Sequence, residues 1–300
     1  MHPIPFLQRG DKVAILAPAS PPKSNDWIKG VDVLTQWGLE VKFAPNHLAQ
    51  HFGLAGTDQQ RLSDLQWALN DSSIKAIFPI RGGYGSSRII DDLDFSAFHQ
   101  HPKWIIGFSD ITALLMHLTR LGYPSIHGPM PHNFLQNGGE NALINLEKLL
   151  FQGNLEIHAP ANPYNRVGNA QGEIVGGNLS LIVHLIGSSS FPDLTNSILL
   201  LEEVGERLYH VDRMLLQLKR AGLLSNLSGL IVGGFTDCQE APLEIGKNVQ
   251  ELILEHSANY SYPIAFDFPS GHIPNNQPIL FGSKSNLLIN SKEVQLTYQV

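Results

Sequence analysis

The strongest constraint on the fold is an alternation in the first 120 residues, where short apolar runs take turns with amphipathic segments. Lys12-Val-Ala-Ile-Leu-Ala-Pro18 reads as a buried strand ended by proline, and Glu40-Val-Lys-Phe-Ala44 as a second. Ala76-Ile-Phe-Pro-Ile80 and Trp104-Ile-Ile106 supply a third and a fourth. Between them, Asp26 to Trp37, Asp58 to Leu69 and Ile111 to Leu121 have helical spacing. The second of these sets Leu62, Leu65 and Leu69 on one face behind a Thr57 or Asp58 cap. Strands this short and continuously apolar are covered on both faces, which predicts a parallel sheet between helices.

The pattern lapses from about 133 to 175, where Asn, Gly and Pro are frequent, apart from a short helix near Leu143 to Phe151. Beyond it, Ser197 to Leu201 and Gly229 to Phe235 read as strands flanking a helix from Tyr209 to Ala221. Extended segments at Asn286–Ile289 and Val294–Tyr298 close a mixed unit with more β character. Three hundred residues suit two modest domains. The division expected is an α/β domain over 1–135, a linker over 136–175 and a second domain over 176–300.

A net charge of −7 argues against nucleic acid or an anionic membrane as partner. Cys238 is the only cysteine, so no intrachain disulfide can form, in keeping with a reducing compartment. No signal-length apolar stretch opens the chain, and no run reaches the roughly 18 residues of a membrane span. A soluble cytoplasmic protein is expected.

Four segments could carry chemistry. In Trp104-Ile-Ile-Gly-Phe-Ser-Asp-Ile-Thr-Ala, a strand runs into a helix with Ser109 at the turn. Ser109 reads either as a nucleophile on an elbow, though without the Gly-x-Ser-x-Gly pattern, or as a helix N-cap. Arg81-Gly-Gly-Tyr-Gly-Ser-Ser-Arg88 is a glycine loop matching neither nucleotide-binding pattern; it reads as an oxyanion-binding loop or an ordinary tight turn. Acids at 202, 203 and 206 gather where an apolar strand ends, and His272 sits in a loop between Gly271 and Pro274. No His-Glu-x-x-His, cysteine pair or tight His/Asp spacing points to a metal.

Taken in order, these segments resemble the serine LD-carboxypeptidases, a muropeptide-recycling family that includes the microcin-immunity peptidases. The resemblance runs nearly the whole chain. It includes Val13-Ala-Ile-Leu-Ala-Pro-Ala-Ser20, the glycine loop, Gly107-Phe-Ser-Asp-Ile-Thr112, His127-Gly-Pro129, Gly176-Gly-Asn-Leu-Ser180, the segment Leu201 to Arg213 and Gly271-His272. It implies a Ser109–Glu202–His272 triad joining both domains. Glu202 and Glu203 would face opposite ways on a strand, so only one can reach the histidine; the family's acid maps to Glu202. The resemblance further implies an oxyanion hole from the amides of Gly83 and Asp110, and Tyr84 in substrate binding. A carboxypeptidase needs a cation for the free carboxylate; Arg81, Arg88 and Arg213 are open candidates.

The fold it implies is α/β, with a flavodoxin/Rossmann-like parallel-sheet domain and a mixed, β-rich C-terminal domain of the swivelling type. Its activity would be release of terminal D-Ala from murein tetrapeptides, by a homodimer needing no metal or organic cofactor. The competing readings are a peptidase cleaving a peptidyl-nucleotide antibiotic and a non-catalytic peptide-binding protein. An aromatic content of only 8% favours the muropeptide over a nucleobase ligand.

Overall fold

The computed structural model describes residues 2–240 and 244–298. The first half runs β1 (Lys12–Leu16), α1 (Asp26–Gln36), β2 (Glu40–Phe43), α2 (Asp58–Asn70), β3 (Ile74–Pro79), α3 (Ser96–Gln100), β4 (Trp104–Gly107), α4 (Thr112–Arg120), β5 (Ser125–His127) and α5 (Glu140–Gln152). Next come β6 (Glu156–Pro160), β7 (Gly168–Asn178), α6 (Leu179–Leu185), β8 (Ile198–Val204), α7 (Leu208–Arg220), β9 (Gly229–Thr236) and α8 (Val249–His256). The chain closes with β10 (Ile264–Ala265), β11 (Ile279–Phe281), β12 (Lys284–Ile289) and β13 (Glu293–Tyr298).

The apolar runs of the first half form one sheet in the order β2-β1-β3-β4-β5, every neighbour parallel. β11 returns from the end of the chain to add antiparallel to β5. The second sheet has the order β10-β9-β8-β7-β12-β13-β6; it is parallel from β10 to β7 and antiparallel from β7 to β6. The expected α/β architecture, a parallel sheet and a mixed one, is therefore what the chain adopts. Thr57, rather than Asp58, caps α2, in a capping box with Gln60.

The stretch 136–175 departs from the expected linker, because it holds α5, β6 and most of β7. Its glycines conceal the strand. A Cβ at Gly176 would stand 2.1 Å from Leu200 O, and one at Gly177 would stand 2.6 Å from Thr112 Oγ1. Here glycine marks close backbone approach rather than a break.

α4 joins the two halves. Leu114, Leu115 and Leu118 pack into the core of the first sheet, while Ala113 and Met116 pack with the helices of the second. A helix apolar on nearly every side is an interior helix, and this one follows Ser109 directly.

α2 is closed by a buried cation. Lys103 Nζ donates to Ala68 O, Leu69 O and Asp71 O at 2.8, 3.0 and 2.7 Å, satisfying carbonyls that the helix end leaves open. Burial pushes its amine down from 10.5 to about 8. The unfolded chain therefore holds this proton up to higher pH than the fold does, and the stability Lys103 contributes grows between about pH 8 and 10.5. Lys103→Met should cost about 1–3 kcal/mol at neutral pH, from carbonyls left unpaired. In urea melts, the gap between wild type and variant should widen at pH 10; a constant gap would contradict the buried ammonium.

Candidate active site

Four strand ends and one loop build the site. At the carboxyl edge of the first sheet, β3 ends in Arg81 and the glycine loop, β4 in Phe108-Ser109, and β5 in His127. That edge is where parallel sheets collect functional groups. The second sheet contributes Glu202 near the end of β8, and the loop before β11 contributes His272.

After β4 the backbone is extended at Phe108 and then left-handed at Ser109, with φ +63°. A non-glycine residue held there costs on the order of 1–3 kcal/mol and is fixed by its surroundings. The cap positions of the short helix Ser109–Ile111 and of α4 fall to Phe108 and Ile111, neither with a side-chain cap. Ser109 is thus on an elbow and does not cap a helix. Asp110 is buried and stitches the elbow to the glycine loop: Ser86 N donates to Asp110 Oδ2 at 2.8 Å, and Ser86 Oγ to Asp110 O at 2.6 Å.

Gly82 faces the serine most closely, since a Cβ there would lie 3.0 Å from Ser109 Cβ and 3.3 Å from Asp110 N. Gly83, at φ +118°, packs instead against Ser20, whose Oγ accepts from Tyr84 N at 3.2 Å. The amides of Gly83 and Asp110 make no hydrogen bond among the described residues.

Glu202 and Glu203 diverge as alternation on a strand requires. Glu203 accepts from Asn178 Nδ2, Ser180 N, Ser180 Oγ and Val204 N, which anchors β8 to the start of α6. Burial pushes its carboxyl up in spite of these bonds. Glu202 points the other way and is wholly buried; its Oε2 lies 2.6 Å from His272 Nδ1. Burial alone would raise its carboxyl, but the imidazoles of His127 and His272 outweigh that and hold it down at about 2. His272 answers: burial pushes its imidazole down, and the bond and charge of Glu202 raise it above its ordinary value.

Gly271 makes this approach possible. At φ +105°, a Cβ on it would stand 2.6 Å from Glu202 Cβ and 2.8 Å from Glu202 Oε2. His272 also packs edge-on against Phe108, centroids 4.8 Å apart, which brings the imidazole beside the elbow. No hydrogen bond joins Ser109 Oγ to His272 among the described residues; such bonds are commonly long in ligand-free enzymes and tighten on binding.

The cations separate by partner. Arg88 is paired with Asp58, Nη2 to Oδ2 at 2.5 Å. Arg213 is exposed on α7 over the Tyr209 ring, 5.4 Å from its centroid. Arg81 is half-buried and makes no hydrogen bond or ion pair among the described residues, and its Nε is buried without a partner. Tyr84 is exposed within the glycine loop. No group of three or more His, Cys, Asp or Glu arranged for a metal occurs among the described residues. Sequence reasoning left roles unassigned for Gly82, Thr112 and His127, although all three lie within motifs it singled out.

Residues 13–128 match the LD-carboxypeptidase N-terminal domain and residues 171–287 the LD-carboxypeptidase C-terminal domain. The murein tetrapeptide carboxypeptidase of Pseudomonas aeruginosa is 32% identical over 298 residues, covering 92% of each chain. The crystal structure of muramoyltetrapeptide carboxypeptidase from Oxalobacter formigenes superposes with a TM-score of 0.87 at 26% identity, over 96% of this chain and 99% of that one. MccF in complex with glutamyl sulfamoyl guanosine gives the same TM-score at 20% identity, over 99% and 98%, a likeness of fold.

Gly271→Ala should separate His272 from Glu202. Labelling of Ser109 by a fluorophosphonate should slow about 100-fold, as for a reacting group displaced by 1 Å. Gly246→Ala, with positive φ but nothing within 4 Å, should label normally. Equal labelling of both variants would remove Gly271 from the site.

Proposed function

The chain belongs to the serine LD-carboxypeptidase family, and from that membership we propose that it hydrolyses the amide joining the L-centre of a diamino acid to terminal D-Ala in murein tetrapeptides. The observation that carries the reading is the 2.6 Å contact of His272 Nδ1 with the buried carboxylate of Glu202, on an imidazole that packs beside the Ser109 elbow. In this reading Ser109 Oγ attacks the scissile carbonyl carbon as His272 takes its proton. Glu202 holds the Nδ1–H tautomer and stabilises the imidazolium. The free amides of Gly83 and Asp110 receive the oxyanion. His272 then returns the proton to the departing D-Ala amine, and water, activated by the same imidazole, releases the acyl group from Ser109.

Arg81 is the reader of the substrate's terminal carboxylate in this proposal, because Arg88 is already neutralised by Asp58 and Arg213 stands in solvent. Tyr84 flanks the substrate from the loop. The murein reading is favoured over the peptidyl-nucleotide one because the murein-processing relatives are those with the higher identity, whereas the likeness to MccF is one of fold. The reading extends to a homodimer acting in the cytoplasm, as the resemblance implies.

Incubation with a muramyl tetrapeptide should release D-Ala, seen by mass spectrometry, and Ser109→Ala should abolish release with the melting temperature preserved. Normal turnover by that variant would sink the triad. Cleavage of a peptidyl-nucleotide amide, with the tetrapeptide untouched, would favour the immunity reading.

Arg81→Gln should raise KM for the tetrapeptide about 10- to 100-fold, the worth of a charge-assisted hydrogen bond. Arg88→Gln and Arg213→Gln should leave KM near wild type. A KM effect confined to either of those would move carboxylate recognition away from Arg81.

A further inference from the structure

His127 sits against the acid but has no part in the mechanism above. As the last residue of β5 it pairs in register with Gly107, two residues ahead of Ser109. It is wholly buried. Its ring stacks on Phe281 of β11, centroids 5.6 Å apart at 29°, and meets Phe108 at 6.1 Å. Gly177 closes another side, where a Cβ would stand 3.4 Å from His127 Cδ2. Nδ1 lies 3.2 Å from Ser270 Oγ, and Nε2 lies 4.0 Å from Glu202 Oε1.

Those last two atoms, Nε2 and Oε1, are buried, and neither has a hydrogen-bond partner among the described residues. The two unmet needs face each other. If Ser270 accepted a proton from Nδ1, the neutral ring would turn a lone pair on a carboxylate oxygen. With Ser270 donating instead, Nε2 carries the hydrogen and presents it to Oε1. A movement of about 1 Å makes that contact a hydrogen bond.

We propose that His127 is a positioning residue: as an Nε2–H donor it holds Oε1 of Glu202, so that Oε2 is kept on His272, and it registers the acid of the second sheet against the sheet bearing Ser109. The proposal rests on the Ser109–Glu202–His272 reading. It gives the carboxylate one imidazole on each oxygen, the chain being Ser270–His127–Glu202–His272. The other titratable or charged groups facing this chain are Glu203, across β8, and His132, which is within electrostatic reach of both His272 and Arg81. β4, β11 and the end of β7 present Gly107, Ile279 and Gly177 to β5, none of which titrates. His117 of α4 is engaged with Ser190.

Removing the donor concentrates the charge of Glu202 on His272. The pair then binds its proton more tightly, and because the imidazole is a base only when unprotonated, the acid limb of kcat/KM moves to higher pH. His127→Phe should lower kcat about 10- to 100-fold, as loss of an orienting partner does, with KM unchanged. It should also raise the acid limb by about one pH unit, and the His272 titration followed by NMR in the ligand-free protein should rise with it. His127→Gln, which keeps an N–H donor, should restore the limb. Ser270→Ala, which frees the tautomer, should move it part of the way and serves where the Phe variant does not fold.

An acid limb unmoved in His127→Phe, or in Ser270→Ala where that replaces it, would overturn the proposal and leave His127 a packing residue. So would a Gln variant shifted as far as the Phe variant. Ser109→Ala separates the two levels. An inactive Ser109→Ala beside an unmoved His127 limb discards only this inference, whereas an active one discards the triad itself.

Discussion

Glu202 is a carboxylate with no access to water, and much of the architecture follows from what such a group needs. A buried charge without partners is expelled or neutralised. The groups able to hold it come from a loop more than sixty residues later and from the last residue of a strand in the other sheet. The two sheets and the loop before β11 must therefore meet at one atom group. The backbone is bare where they do: a Cβ on Gly271 would stand 2.6 Å from Glu202 Cβ, and one on Gly233 would stand 2.4 Å from Ser270 O. The β8–β9 register also shifts between Leu201 and Glu203, so the ladder bends at the acid itself. Glu203, on the opposite side of the strand, fixes the far end of this lever by accepting three hydrogen bonds from the start of α6 and a fourth from Val204 N of its own strand.

The elbow at Ser109 obeys the same logic from the other sheet. A left-handed serine is unfavourable alone and persists because its neighbours leave no alternative. β4 ahead of it is buried along its whole length, α4 behind it is locked between two cores, and Asp110 is bonded to Ser86 through both its carboxylate and its carbonyl. Beneath the glycine loop, Arg61 donates to Pro18 O and Gly85 O, tying the loop after β3 to the end of β1. The result leaves the amides of Gly83 and Asp110 without an acceptor among the described residues. Such amides are oriented before any ligand arrives, which is the condition under which dipoles stabilise developing charge most effectively.

How far this was legible in the chain depended on the range of the interaction. The strands and helices of the first half were readable because β1, β3 and β4 are short apolar runs between punctuating residues. The divergence of Glu202 and Glu203 was readable from strand alternation, whereas the choice of Glu202 as the one to meet the histidine came from the family resemblance alone. β7 was not readable: Gly168, Gly172, Gly176 and Gly177 look like a loop until the backbone that presses on them is known. Nor could local sequence decide between elbow and cap at Ser109, because the answer lies in one φ angle imposed by packing. The arginines show the limit most plainly. Arg88 is committed to Asp58, thirty residues away, while Arg81, seven residues before it, has no hydrogen-bond or ion-pair partner among the described residues, and nothing in the intervening glycine loop distinguishes them.

That difference bears on how an acidic protein can recognise an anionic peptide. A net charge of −7 gives an anionic peptide no general attraction, and salt screens surface charges beyond the Debye length, about 8 Å at physiological ionic strength. Attraction must then come from a cation that is close, oriented and poorly hydrated. Arg88 fails because its charge is spent on Asp58, and Arg213 fails because water surrounds it. Arg81 meets the condition. Burial disfavours its charged form, and its Nε has no acceptor, so a carboxylate docking there relieves a cost the fold already carries. Recognition built that way is short-ranged and selective, since a ligand lacking a terminal carboxylate leaves the guanidinium as unsatisfied as it was before. It also resists salt better than surface steering would. On the proposed reading, specificity for a chain end would be a property of one arginine that has no hydrogen-bond partner among the described residues.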